Sequence, residues 1–189
     1  CGYSYYVGKC ARQDSTGPTR DVSWNWVWSQ YQRPRDSLVS IQPSVVADFA
    51  TFGIDPSWSR TVNVPSHDGS THQWHLLDRP GTNKDAPVVL CLHGNPTWSF
   101  LWSRLLNELK SDFRVIAPDH LSMGFSEQVP TRTYRDRVAD INDLVNSLNV
   151  TAPIWIVAQD WGGAIGMGYA VANPERVAGL VLSNTGIAV

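Results

Sequence analysis

A chain of 189 residues, 42% hydrophobic and 17% charged, has the balance of an ordinary water-soluble globular protein with room for one real core. Its formal net charge of -2 offers no basic surface to nucleic acid or to an anionic membrane. The longest apolar runs, such as Pro87 to Leu92, are far too short to span a bilayer, and the first residues lack the order of a secretory signal.

Residues 1 to 55 read differently from the rest and are expected to form an extension of unassigned role. Trp24, Trp26 and Trp28 alternate with polar or small residues in a strand-like period, among Tyr3, Tyr5, Tyr6 and Tyr31. Cys1 and Cys10 stand in a polar, Gly-containing stretch, whereas Cys91 falls inside an expected buried strand. Three free thiols fit this placement better than a bridge does, and point to a reducing, cytoplasmic compartment. Neither methionine, Met123 or Met167, is an initiator, and Gly179 to Val189 stops as a strand is completed. Both features are expected of a partial sequence.

From about residue 56 to 189 the pattern becomes regular. Arg60 to Val64 and Gln73 to Leu77 are expected strands of an antiparallel hairpin around the turn-rich His67-Asp68-Gly69-Ser70. Ala86 to Leu92 is uniformly apolar, as a strand buried on both faces of a parallel sheet should be. Trp98, Leu101, Trp102, Leu105, Leu106 and Leu109 form one face of a helix that Thr97 or Ser99 can cap.

Phe113 to Ala117 is the next strand, followed by a loop over Ser122 to Pro130. Tyr134, Val138, Ile141, Val145 and Leu148 then mark an amphipathic helix with Arg135, Arg137, Asp140 and Asp143 on its wet side. Ile154 to Ala158 is a strand, Trp161 to Ala172 a helix, and Val177 to Leu182 another strand. Strands alternating with helices predict βαβ units, an α/β fold with a mostly parallel sheet and helices on both faces.

The stretch Ala158-Gln159-Asp160-Trp161-Gly162-Gly163 sits between a strand and a helix. A nucleophile elbow is so tight that residues two before and two after the nucleophile must be small, and Ala158 and Gly162 meet that demand. Gly163 and Gly166 let the helix approach the sheet. The bland alternative is that Asp160 only caps the helix, but small residues at both offsets favour the elbow. Serine attacking a saturated carbon would leave an ether that water cannot easily cleave. A carboxylate leaves a hydrolysable ester. An aspartate at the elbow therefore predicts substrates cut at saturated carbon, such as alkyl halides, epoxides or strained rings.

His93-Gly94-Asn95-Pro96 ends the first parallel strand. Backbone N–H groups of Asn95 and Trp161 are the expected oxyanion hole, and their side-chain N–H groups suit a departing halide or oxyanion. All five histidines, His67, His72, His75, His93 and His120, precede Asp160, whereas the fold's chain order puts the catalytic histidine after the nucleophile. His93 is expected to shape the loop beside the oxyanion hole, and His120 to be structural. Neither a cofactor nor a metal site is expected.

On these motifs, His93 to Trp102, Pro118 to Ser126 and Gln159 to Gly163, the chain resembles the haloalkane dehalogenase branch of the α/β-hydrolases. The resemblance covers roughly residues 57 to 189 and implies Asp160 as nucleophile with Trp161 and Asn95 as leaving-group ligands. Epoxide hydrolases share the Asp-Trp-Gly-Gly elbow but commonly carry an aromatic residue in place of Asn95. The β-lactone decarboxylases of bacterial olefin synthesis, some fused to a ligase-like domain, are similar in both loops, in Arg137 to Leu144 and in Leu182-Ser183-Asn184-Thr185.

Asn184 stands where some dehalogenases place a triad Glu. The resemblance then implies an acid, a histidine and a cap domain beyond Val189, so that this is the N-terminal portion of such a fold. The substrate implied is a small hydrophobic organic molecule. A non-catalytic scaffold is the competing expectation, and retention of Asp160, Trp161 and Asn95 weighs against it. The isolated chain is expected to stall after one attack and to be poorly soluble.

Overall fold

The computed structural model describes residues 49–186, so the aromatic alternation at Trp24, Trp26 and Trp28, and Cys1 and Cys10, lie outside the described residues. Strand β1 (Ser59–Pro65) pairs antiparallel with β2 (Thr71–Arg79), Ser59 facing Leu77 and Pro65 facing Thr71. The expected hairpin is therefore present. Strand β2 runs longer than its apolar pattern suggests because its other edge also pairs, with Leu76 opposite Pro118 and Arg79 opposite Val115.

The remaining strands are β3 (Val88–Leu92), β4 (Arg114–Pro118), β5 (Ile154–Gln159) and β6 (Val177–Ser183). Across the six-stranded sheet the order is β1-β2-β4-β3-β5-β6, and the last four in that order are mutually parallel. Strand β3 begins later than Ala86. Pro87 has no N–H to give a ladder, and only its carbonyl is used, by the Arg114 N–H at 3.0 Å.

Every residue of β3 is buried, as its uniform apolarity predicts, and its side chains divide between two cores. Val88, Leu90 and Leu92 join Ile141, Leu144, Val145, Ile165 and Tyr169 from helices α2 (Tyr134–Ser147) and α3 (Trp161–Ala172). Val89 and Cys91 join Phe49, Ile54 and Leu106 on the other face, beside the short helix α1 (Ser103–Glu108). Helices thus cover both faces, and the strand period of two assigns each side chain to its layer. Cys91 is a buried free thiol, and burial raises its pKa.

Two expectations are corrected. The helix expected from Trp98 to Leu109 is a 3-10 turn, Ser99–Trp102, running into α1. Neither Thr97 nor Ser99 caps it. Trp98 is the cap residue and makes no side-chain cap bond, Thr97 Oγ1 donates to the Gly94 carbonyl, and the Ser99 N–H donates to the Asp119 carboxylate at 2.7 Å. An acid from a neighbouring loop does the capping, which local sequence does not encode.

On α2, Asp140 is buried instead of wet, and Arg137 turns inward to donate to the Leu121 carbonyl. Tyr134, expected on the apolar face, is 48% exposed, and its hydroxyl donates to the Ala164 carbonyl on α3. The start of α2 is a capping box in which Thr133 and Asp136 bond each other's backbone N–H.

Candidate active site

The chain passes from β3 through α1 to β4 on one side of β3, and then through α2 to β5 on the other. The carboxyl ends of β3 and β5 therefore flank the point where the strand order reverses, the place where open α/β sheets form ligand crevices. Leu92 lies opposite Ala158 across these neighbours. That register sets the Gly94-Asn95 loop beside Asp160.

Asp160 has φ 55° and ψ -129°, a left-handed backbone region that side-chain-bearing residues rarely adopt and that costs about 1–3 kcal/mol. Its side chain makes no cap bond to α3. Instead Oδ1 accepts the Asn95 backbone N–H at 3.0 Å. The cap-only alternative for Asp160 therefore does not describe this turn.

Close approach explains the small residues. A Cβ on Gly162 would collide with the backbone carbonyls of Leu92 and His93, and a Cβ on Gly94 would collide with the Asp160 side chain. Ala158 is fully buried at the end of β5, near Gly166. Gly166 does pack against the sheet, 3.0 Å from Ile156 Cγ2 if it carried a Cβ, whereas Gly163 faces Thr185. Asp160 itself is half-buried. Asn95 is exposed, and Trp161, next to Asp160, is 51% exposed. As the first residue of α3, Trp161 presents one of the N–H groups for which a helix has no internal acceptor.

The histidines have other work. His93 is fully buried, and its Nε2 accepts the His120 backbone N–H at 3.0 Å. That leaves the proton on Nδ1, which donates to the Gly94 carbonyl at 2.7 Å. Burial holds His93 below the ordinary imidazole pKa. His120 donates from Nε2 to the His93 carbonyl, and burial, then His93 and Arg137, hold it well below that value. Both rings are neutral braces of the loop carrying Asn95.

A second polar line, unseen in the sequence, runs Ser59 Oγ, His75 Nε2 at 3.0 Å, then His75 Nδ1 to Asp119 Oδ2 at 2.9 Å. The order is that of a serine hydrolase, but Ser59 lies in an extended strand without an elbow, and Phe49 stacks on the His75 ring. Burial alone would raise the Asp119 carboxyl. Its bonds to His75 and to the Phe125 and Ser99 N–H groups outweigh burial and hold it below the ordinary carboxylate range. Asp119 thus ties β2, the 3-10 turn and the loop after β4 together. Its only sequence signal is an acid at a strand end followed by a turn-rich loop.

The predicted residues fall into one neighbourhood. Ala158, Asp160, Trp161, Gly162 and Gly163 form the turn from β5 into α3, and a hydrogen bond joins Asn95 to it. Thr185, which the elbow pattern does not include, also belongs here, because its hydroxyl donates to the Asp160 carbonyl at 2.7 Å. Among the described residues no group of three or more His, Cys, Asp or Glu side chains could hold a metal, and no helix is long and apolar enough to cross a membrane.

Comparison with known proteins identifies the fold family. The family model described as the α/β hydrolase fold matches residues 87–188. A cis-3-alkyl-4-alkyloxetan-2-one decarboxylase of Shewanella oneidensis is 42% identical over 123 residues, covering 59% of this chain and 38% of that protein. Haloalkane dehalogenase 2 of Mycobacterium tuberculosis is 40% identical over 120 residues, covering 62% of this chain and 40% of the relative. The crystal structure of a haloalkane dehalogenase from Agrobacterium tumefaciens superposes with a TM-score of 0.57 at 26% identity, covering 67% of this chain and 41% of that one. The chain thus spans less than half the length of these relatives.

Proposed function

Because the chain belongs to the α/β-hydrolase fold family, we propose that Asp160 is the nucleophile of a hydrolase that displaces a leaving group from saturated carbon. The observation that carries this reading is the Asp160 carboxylate, bound at 3.0 Å by the Asn95 N–H and free of any capping role. With Oδ1 so held, Oδ2 is the attacking oxygen. It forms a C–O bond as the bond to the leaving group breaks, and the leaving group departs with the electron pair. The side-chain N–H groups of Asn95 and Trp161 receive it.

Water then attacks the ester carbonyl carbon and loses a proton to a base. The negative charge gathers on Oδ1, where the Asn95 and Trp161 backbone N–H groups stabilise it, a contribution of about 3–4 kcal/mol per donor at comparable sites. Collapse releases an alcohol and restores the carboxylate. Each of the five histidines in the chain is already engaged elsewhere: His67 with Asp143, His72 with Asp68, His75 with Asp119, and His93 with His120. On this reading the 189-residue chain stops at the ester, and the base is sought in the part of the fold that the chain, matching 38% of its decarboxylase relative, does not span.

In the parent, the leading version is a haloalkane dehalogenase acting on a small hydrophobic haloalkane. The similarity to a cis-3-alkyl-4-alkyloxetan-2-one decarboxylase favours a second version, in which a β-lactone is opened with loss of carbon dioxide. An epoxide hydrolase is less favoured, because Asn95 occupies a position that is commonly aromatic there. The parent protein decides between the first two: halide released from bromohexane supports the dehalogenase, and olefin formed from the lactone supports the decarboxylase. A single turnover on bromohexane in heavy-oxygen water should place the label in Asp160 and not in the product alcohol. Label in the alcohol alone would refute the ester route.

A further inference from the structure

The end of β6 and the turn that follows it grip both peptide groups of Asp160. The Asp160 N–H donates to the Ser183 carbonyl at 3.3 Å, and the Asp160 carbonyl accepts the Thr185 hydroxyl at 2.7 Å. The same carbonyl accepts the Gly163 N–H at 3.0 Å, in the first turn of α3. A residue at φ 55° and ψ -129° keeps that conformation only when its surroundings over-determine it. Fixing the carbonyl fixes ψ, and with it the direction in which the Asp160 side chain leaves the turn.

Gly163 completes the arrangement. A Cβ there would fall on Thr185 Oγ1 and Cβ, so the space that glycine leaves at position 163 is the space the threonine fills. Gly163 therefore serves the turn after β6 instead of the helix-to-sheet approach. Asn184, between Ser183 and Thr185, is itself at φ 46°, so the gripping turn is sharply bent. Thr185 lies 25 residues from Asp160 in sequence, outside any elbow pattern.

We propose that Thr185 is a positioning residue for Asp160, its hydroxyl holding the elbow so that the carboxylate stays under the Asn95 N–H and aimed at substrate. This rests on the reading of Asp160 as nucleophile. Thr185 touches a backbone carbonyl and no reacting atom.

The test follows formation of the Asp160 ester in the 189-residue chain by intact-mass spectrometry after mixing with bromohexane, with the adduct mapped by peptide digestion. Rates over a range of bromohexane concentrations separate the maximal rate from the half-saturating concentration. Thr185→Val keeps the shape but removes the donor, and should lower the maximal rate about tenfold, the factor attached to one oriented hydrogen bond. Half-saturation should not move. Thr185→Ser keeps the donor and should stay within about twofold of the parent chain. Thr185→Ala should match valine, and replaces it if valine disturbs folding.

Parent-like rates for both valine and alanine variants, or a serine variant as slow as valine, would overturn the role of Thr185 alone. A folded 189-residue chain that gives no adduct at Asp160 with either bromohexane or a β-lactone would overturn the nucleophile reading and this inference with it.

Discussion

Gly162→Ala should destabilise the protein, although alanine is the better helix former. Inside an ordinary helix this change gains about 1 kcal/mol. At position 162 the new Cβ would sit on the backbone carbonyl oxygens of Leu92 and His93, at the end of the buried strand β3. Those atoms belong to a sheet strand and its following loop and have no rotamer into which to retreat. Overpacking of this kind costs about 1–3 kcal/mol.

Gly168→Ala is the internal control. It lies in the same helix, but its Cβ would meet the ends of the Tyr134 and Val138 side chains, and Tyr134 is 48% exposed and able to move. Helix propensity cancels between the two variants. The difference left is the cost of pressing on fixed backbone at 162 beyond that of shifting the Tyr134 and Val138 side chains at 168, about 1 kcal/mol, or roughly 2–4 °C in melting temperature for a domain of this size. Parallel thermal melts followed by circular dichroism give the comparison. Equal midpoints for the two variants, with ester formation intact in Gly162→Ala, would refute the close approach of elbow and strand.

Asp160→Asn should abolish ester formation yet stay within about 0.5 kcal/mol of the parent in thermal unfolding, because the side chain caps nothing. His93→Ala leaves the buried His120 N–H without its acceptor, costing about 1–3 kcal/mol as denaturant titration would record, while the Gly94 carbonyl keeps the Thr97 hydroxyl as a donor. Two buried acids should respond to pH with opposite signs. Asp119 is held below the ordinary carboxylate range, so it stabilises the fold above that range and loses this contribution as pH falls through its folded value. Asp119→Asn should therefore lose most stability near neutrality and little in acid.

Asp140 is raised, because burial outweighs the nearby Arg132 and His67, so its contribution is full in acid and lost as pH rises through its folded pKa. Asp140→Asn should be more stable than the parent near neutrality, with the gap closing in acid. Melting midpoints across the acid range check both acids, and two gaps of the same sign would contradict the assignment.

Legibility in the sequence followed the range of the interaction. The uniform apolarity of β3 and the spacing of α2 reflect burial and period, which single segments encode, and both elements stand where those patterns put them. The elbow was readable because Ala158 and Gly162 answer a steric demand at fixed offsets from Asp160. The partners of Asp119 and Arg137 were not readable, because each lies in a separate element or loop that local spacing does not reveal. Thr185 was visible only as part of a resembling tetrapeptide. Its bond to Asp160 exists because β6 pairs with β5 in a register that brings Ser183 opposite Gln159.

The central claim is tested most directly by mapping the site of alkylation. The 189-residue chain, incubated with bromohexane and digested, should carry one hexyl group on Asp160 as an ester that persists, and the Asp160→Asn chain should carry none. A hexyl group on another side chain in equal yield from both proteins, with Asp160 unmodified, would contradict it.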